Sequence, residues 1–372
     1  MAGTFTFPDD VPTLTDGEVT LRAHRLSDVD QVVEQCVDPE SIRWTTVPTP
    51  YTREMAVEFV TKSASEGWTT RSDMMFAIET EQGFSGTCSL RTMGEGVVEV
   101  AFGLHPAVRG RGVCTRAVKL LLDWGFTQDD IDVVVWYAYV GNWASRRVAW
   151  ATGFTFTGTV GKLLRQRGKR LDSWFASLHR DDSREPKHAW KVAPVLETER
   201  LRLRPLRESD TARVGGIVSD ERTRATASRY LPHDQDGSAT VMRLLDSSAR
   251  GERWCWCIAD PETDRLIGLI SLRSITATAD PTATELGYSV HPDSRGRGFL
   301  IEALDRVVDW AFQEGGYRRL VLRTDETNTA SRYAAEKTGF THIATEPADF
   351  PAGESGFATT VIYHQLNQKW TP

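Results

Sequence analysis

Two glycine-containing turns in this chain carry the residue types that could bind an anion and move a proton beside it. They are Val108-Arg109-Gly110-Arg111-Gly112 and Ser294-Arg295-Gly296-Arg297-Gly298. Glu99 and Glu285 each stand ten residues before the first arginine of their turn, and Asn142 with Ser145 and Asn328 with Ser331 follow it. Two glycines at a helix start let backbone N–H groups approach an anion, which the helix dipole also favours. The predicted anion site is therefore Arg109, Gly110, Arg111, Gly112, Val113 and Cys114 in one place and Arg295, Gly296, Arg297, Gly298, Phe299 and Leu300 in the other. The spacing is neither the dinucleotide fingerprint nor the P-loop with its Lys-Ser/Thr, so NAD and ATP readings lack their defining residues. A carboxylate near such a turn is a candidate general base.

The turns belong to a long internal repeat. Arg295 lies 186 residues after Arg109, and at that offset Trp124, Asn142, Ser145 and Gly153-Phe154 fall on Trp310, Asn328, Ser331 and Gly339-Phe340. Earlier in each copy the offset is 182, relating Asp28 to Asp210 and Ser89-Leu90-Arg91 to Ser271-Leu272-Arg273. The difference places an insertion in 274–284, where a hairpin loop lengthens cheaply. The chain thus divides into domains 1–180 and 195–372 joined by a charged linker, 181–194. Strand, turn, helix, strand, helix is the order in both copies, with apolar residues at helical spacing in Val113–Trp124 and Leu300–Ala311. The predicted fold class is α/β of the α+β type: two tandem domains, each a mixed, mostly antiparallel sheet flanked by helices.

Composition narrows the function. A net charge of −7 disfavours nucleic acid as a partner. The apolar runs are too short to span a membrane and no secretion signal is visible, so a cytoplasmic location is expected. Five scattered cysteines fit a reducing compartment, and Cys255-x-Cys257 has no second pair at zinc spacing, so no metal is expected. Both thiols instead read as one face of a strand.

Both halves resemble the GNAT superfamily of acyl-CoA-dependent N-acetyltransferases, and more narrowly its RimJ/RimL branch, over roughly residues 14–180 and 197–367. The resemblance implies that the turns hold the pyrophosphate of coenzyme A. Cys114 and Leu300 depart from the small residue usual at the third motif position. It further implies that Asn142 and Asn328 bond the pantetheine arm. Ser145 and Ser331 would support the leaving thiolate, and Glu99 and Glu285 would act as bases toward a primary amine. An N–H near Leu104 or Val290 would meet the oxyanion. By residue type alone, Asn followed by Ser at a helix start is also an ordinary cap.

Acetyl-CoA or another short acyl-CoA is the implied co-substrate. The implied acceptor is the amine of a small molecule, a peptide or a protein N-terminus. Trp44 and Tyr51 in the first copy and Tyr230 and His233 in the second fall in the acceptor-side loop and are candidate substrate contacts. The second hairpin of each domain predicts different acceptors. Lys162, Arg165, Arg167, Lys169 and Arg170 would favour an acidic one, and Glu346, Asp349 and Glu354 a basic one. Two other readings are one catalytic domain beside a degenerate scaffold or acyl-CoA sensor, and a non-catalytic coenzyme A-binding module. Fusion of two copies can replace a homodimer, so a monomer is expected, with a dimer as the alternative.

Overall fold

The computed structural model describes residues 11–226, 234–274, 280–352 and 356–371. The chain forms two compact units, Met1–Lys187 and His188–Pro372. The segment expected as a linker is shared between them. Lys187 Nζ pairs with Asp182 at 3.2 Å in the first unit, whereas Lys191 N–H donates to the Ser248 carbonyl and Pro194 accepts from the Trp256 indole in the second.

The first unit runs β1 (Leu14–Thr15), β2 (Thr20–Arg22), α1 (Val29–Val37), α2 (Pro39–Trp44), α3 (Arg53–Glu58), a π turn (Phe59–Ser63), α4 (Ala64–Thr69), β3 (Asp73–Thr80), β4 (Gly83–Gly94) and β5 (Gly96–Leu104). It continues through α5 (Val113–Gly125), β6 (Ile131–Tyr139), α6 (Trp143–Ala151), β7 (Thr155–Gln166) and β8 (Lys169–His179). The sheet order is β1-β2-β3-β4-β5-β6-β8-β7, antiparallel except where β5 meets β6. Alternation along the strands gives each face its own cover. Helix α5 packs on the face bearing Phe76 and Leu90, its Trp124 ring meeting Phe76 edge-on at 5.3 Å. Val29, Val32, Ala56 and Val60 cover the opposite face at Ala77 and Phe84.

The second unit repeats this plan in β9 (Leu196–Glu197), β10 (Arg202–Pro205), α7 (Thr211–Val218), α8 (Glu221–Ala225), α9 (Ser238–Ala249), β11 (Arg253–Ala259), β12 (Leu266–Ser274) and β13 (Ala283–Val290). Helix α10 (Phe299–Gln313), β14 (Arg319–Asp325), α11 (Thr329–Lys337), β15 (Thr341–Ala352) and β16 (Gly356–Leu366) complete it. Leu272, Leu286, Leu304 and Val307 fill the core under α10. Cys255 and Cys257 share the other face with Val214 and Val241, so the two thiols are core groups on one side of β11. In the first unit only Glu95 separates β4 from β5, whereas β12 ends at Ser274 and β13 begins at Ala283, where the change of offset put the insertion.

Both units bury the same ion pair near the start. Arg22 grips Asp28 with Nη1 at 2.8 Å and Nη2 at 2.9 Å, and Arg204 grips Asp210 at 2.9 Å through each nitrogen. Asp28 immediately precedes α1, but its carboxylate does not cap that helix. It turns inward to accept from Arg22 and from the Arg25 N–H at 2.8 Å, because the buried guanidinium needs a counter-charge more than the helix end needs a cap.

Removing one partner of a buried pair leaves an uncompensated charge. Asp28→Ala is expected to lower the stability of the first unit by about 3 kcal/mol, read as a drop in its urea midpoint, with Asp210→Ala doing the same to the second unit.

Candidate functional site

The glycine turns take the same backbone path in both units. A 3-10 turn at Pro106–Val108 leads to Gly110 and Gly112 with φ of 74° and 79°, and one at Pro292–Ser294 leads to Gly296 and Gly298 with φ of 72° and 77°. Gly112 and Gly298 are the N-caps of α5 and α10, so no side chain caps either helix and the first-turn N–H groups face outward. A Cβ on Gly110 or Gly112 would meet nothing within 4 Å. Glycine is thus required there by left-handed backbone and by main-chain access, not by a crowding neighbour. Cys114 is buried, which pushes its thiol up to about 12, and Leu300 packs against the core under α10. Both large side chains at the third motif position therefore turn away from the anion-binding side.

The arginines that open the turns do not point at that side either. Arg109 Nη1 pairs with Asp38 at 2.6 Å, while Nη2 donates to Ser41 Oγ at 2.9 Å and to the Leu104 carbonyl at 3.2 Å. Arg295 does the equivalent with Asp220 at 2.6 Å and Thr223 Oγ1 at 2.9 Å. Asp38 and Asp220 are the N-caps of α2 and α8, accepting from Ser41 and Thr223 N–H. Burial opposes the charged form of Asp38, yet Arg109 and the capped N–H hold its carboxyl below the ordinary range. The hydrogen bond from Arg295 does the same for Asp220. Each guanidinium thus ties its turn to the helix leading into the acceptor-side loop. These partners lie far off in sequence, and no local spacing announced them.

Beside the turn the sheet opens. β5 and β6 pair in parallel from Gly96↔Ile131 to Glu99↔Val135 and then separate, while β13 and β14 pair from Ala283↔Arg319 to Leu286↔Leu322. His105 N–H donates to the Ser85 carbonyl, so strand alternation turns the Leu104 N–H into the gap. His291 on Ile267 does the same for Val290.

Across the gap, Asn142 and Asn328 cap α6 and α11, each Oδ1 accepting from the N–H of Ser145 or Ser331 at 3.1 Å. Capping uses only the amide oxygen. Asn142 Nδ2 makes no hydrogen bond among the described residues, whereas Asn328 Nδ2 reaches Thr226 Oγ1 at 3.5 Å. Ser145 Oγ accepts from the Trp136 indole at 3.0 Å, which leaves its own proton to give. Ser331 Oγ instead meets the Tyr288 hydroxyl at 2.9 Å, and burial pushes that phenol up to about 12. Tyr288 was missed in the sequence, being a strand residue that reads as core, and Trp136, which falls in a strand beside the Asn142 cap, also reads there as core packing.

Glu99 and Glu285 sit where the strands part, on the face away from α5 and α10. Burial pushes Glu99 up; Arg91, at 4.0 Å, pulls it back and Asp73 pushes it further. Glu285 is ion-paired with Arg273. Of the acceptor-side candidates, Trp44 ends α2 and donates to Glu40 at 2.8 Å. The end of α2 is held by Gln166, the last residue of β7, which donates to the Arg43 carbonyl at 2.7 Å and to the Thr45 carbonyl at 3.0 Å. Tyr51 packs against the Val29–Val60 cluster with its hydroxyl on Cys36. Tyr230 and His233 lie outside the described residues. Of the hairpin charges, Arg170 bonds the Lys162 and Leu163 carbonyls, Glu346 and Asp349 both pair with Arg323, and Lys162, Arg165, Arg167 and Lys169 are exposed. Glu354 lies outside the described residues.

The family model described as acetyltransferase (GNAT) domain matches residues 18–155 and again 200–341. The chain is similar to the uncharacterized N-acetyltransferase YoaA of Bacillus subtilis, 29% identical over 150 residues that span 40% of this chain and 82% of that protein. It is 26% identical to the FsC-acetyl coenzyme A-N(2)-transacetylase of Aspergillus fumigatus over 160 residues, 42% of this chain and 68% of the relative. Among solved structures, the ribosomal-protein-S5-alanine acetyltransferase from Vibrio fischeri superposes with a TM-score of 0.43 at 16% identity, covering 48% of this chain and all of that one.

Since Arg109 spends its guanidinium on the acceptor-side helix, Arg109→Met is expected to change coenzyme A affinity less than threefold by calorimetry while raising protease cleavage within 38–50 several-fold. A loss of coenzyme A binding of tenfold or more would place the guanidinium on the phosphates instead.

Proposed function

Because the chain belongs to the acetyltransferase (GNAT) family in both of its units, an acyl-CoA-dependent N-acetyltransferase by class, we propose that each unit transfers an acetyl group directly from acetyl-CoA to a primary amine. The observation that carries this reading is the parting of the sheet at Glu99 and Leu286, with the glycine turn and the Ser hydroxyl on one side and a half-buried carboxylate on the other. Main-chain N–H groups of the turn would hold the pyrophosphate, and Asn142 or Asn328 Nδ2 the pantetheine amide. The acceptor enters on the Glu99 or Glu285 face and is protonated at neutral pH, so it must lose a proton before it attacks the thioester carbonyl. Glu99 or Glu285 receives that proton, directly or through water. The developing oxyanion meets the Leu104 or Val290 N–H, and the departing thiolate is met by Ser145 or Ser331.

The two units differ at this carboxylate: Glu285 is ion-paired with Arg273, whereas Arg91 stands 4.0 Å from Glu99. The acceptor is a small amine, a peptide or a protein N-terminus.

Glu99→Gln is expected to lower kcat of the first unit by about 10²-fold or more, with the acid limb of its pH–rate profile lost. That limb sits above the usual Glu range because burial raises the Glu99 pKa. The folded-state pKa exceeds the unfolded one, so ionising Glu99 costs folding free energy as pH rises through the raised value. The variant should therefore unfold no more easily than the parent at pH 8, measured by urea titration. A kcat within threefold of the parent would remove Glu99 from the reaction.

A further inference from the structure

The sheet face that carries the two glutamates differs between the units at one matched position. In the first, β3, β4 and β5 align Asp73↔Arg91 and Arg91↔Glu99. In the second, β11, β12 and β13 align Arg253↔Arg273 and Arg273↔Glu285. The row reads acid, base, acid in one unit and base, base, acid in the other.

Local pairing follows from that exchange. Arg91 gives its Nε to Asp73 at 3.1 Å and stands off Glu99 at 4.0 Å. Arg273 has no acid at Arg253 to share itself with, so it closes entirely on Glu285. Each row is also left with an unmet group of opposite character. Asp73 Oδ1 is buried and accepts no hydrogen bond, and Arg253 Nε is buried and finds no acceptor. Arg253 gives Nη1 to Ser271 at 2.9 Å, and among the described residues no carboxylate pairs with it. Burial, with Arg273 and Arg243 nearby, disfavours its charged form, so an anion arriving there would relieve a standing cost. Arg323, on the same face, already has Glu346 and Asp349.

We propose that Asp73 and Arg253 set opposite acceptor preferences. The second unit acetylates an amine that also carries a carboxylate or similar anion, seated on Arg253 while the amine faces Glu285. The first unit takes an amine carrying a second cation, seated on Asp73. Two strand spacings of ~4.8 Å, spanned partly by the side chains themselves, match acceptors with a few carbons between their charged ends. This ordering is the reverse of the one predicted from hairpin charge, and it rests on the row beside the two glutamates instead of on the hairpins. The proposal rests on amine acetylation as the chemistry of both sites.

The test uses the full chain with one cofactor turn blocked at a time. Gly112→Trp leaves the second unit working, and Gly298→Trp leaves the first. The probes are 1-butylamine, 1,4-diaminobutane and 4-aminobutanoate, followed by thiol release from acetyl-CoA and, separately, by ligand-observed NMR binding with coenzyme A present. In the Gly112→Trp chain, 4-aminobutanoate should exceed 1,4-diaminobutane at least tenfold in kcat/KM and in affinity. Arg253→Gln should reduce that ratio to under threefold, and Arg253→Lys should largely keep it. In the Gly298→Trp chain the order should invert, and Asp73→Asn should level it. One ranking shared by both units, or a ranking untouched by Arg253→Gln and Asp73→Asn, would overturn the proposal. Absence of thiol release with every amine would sink the transfer reading by itself, and the NMR ranking would still decide the charge preference.

Discussion

The proposed site occupies a wedge that exists because two neighbouring strands do not stay paired. β5 is bonded to β4 along its length but to β6 only as far as Glu99↔Val135, because β6 is drawn the other way by β8 from Val133↔His179 to Tyr139↔Ser173. Unpaired strand edges inside a fold leave N–H and C=O groups that need partners, and such an opening is costly unless something else supplies them. A bound extended chain can do so. The wedge also fixes what lies on each side of it: the turn and α5 at one mouth, the Asn142 cap of α6 at the other, and the Glu99 face behind.

Much of this architecture is legible in the residues. Paired glycines before an amphipathic run announce a left-handed N-cap, and Asn-x-x-Ser announces a cap whose amide oxygen is committed. Side-chain destinations are less legible. Arg109 reads as a phosphate ligand until Asp38 and Ser41 are brought beside it by α2, and Ser145 and Ser331 draw donors from strands, Trp136 in one copy and Tyr288 in the other. The hairpin charges are partly hidden for the same reason: composition records that Glu346 and Asp349 are acidic but not that both pair with Arg323.

The equivalence of Asp73 and Arg253 is hidden for a different reason. The copies align at an offset of 186 through the turn and 182 through β4 and β12, but these two residues are 180 apart. Only strand register brings them to one place. Loop and bulge lengths alter residue counts without altering which side chains share a face, so charge patterns across a sheet escape comparison along the chain.

A cofactor floor built from peptide groups, as proposed for the two glycine turns, would be insulated from mutation in a way that an acceptor wall built from side chains is not. Outside Gly110, Gly112 and their counterparts, where backbone conformation is demanding, residues of the turn can drift without removing an N–H. The copies indeed differ there as Cys114 and Leu300 differ. Duplication of such a domain gives two genes' worth of acceptor variation on one inherited donor site. Divergence of specificity is then the easy evolutionary path, and loss of the donor site in either copy a comparatively hard one.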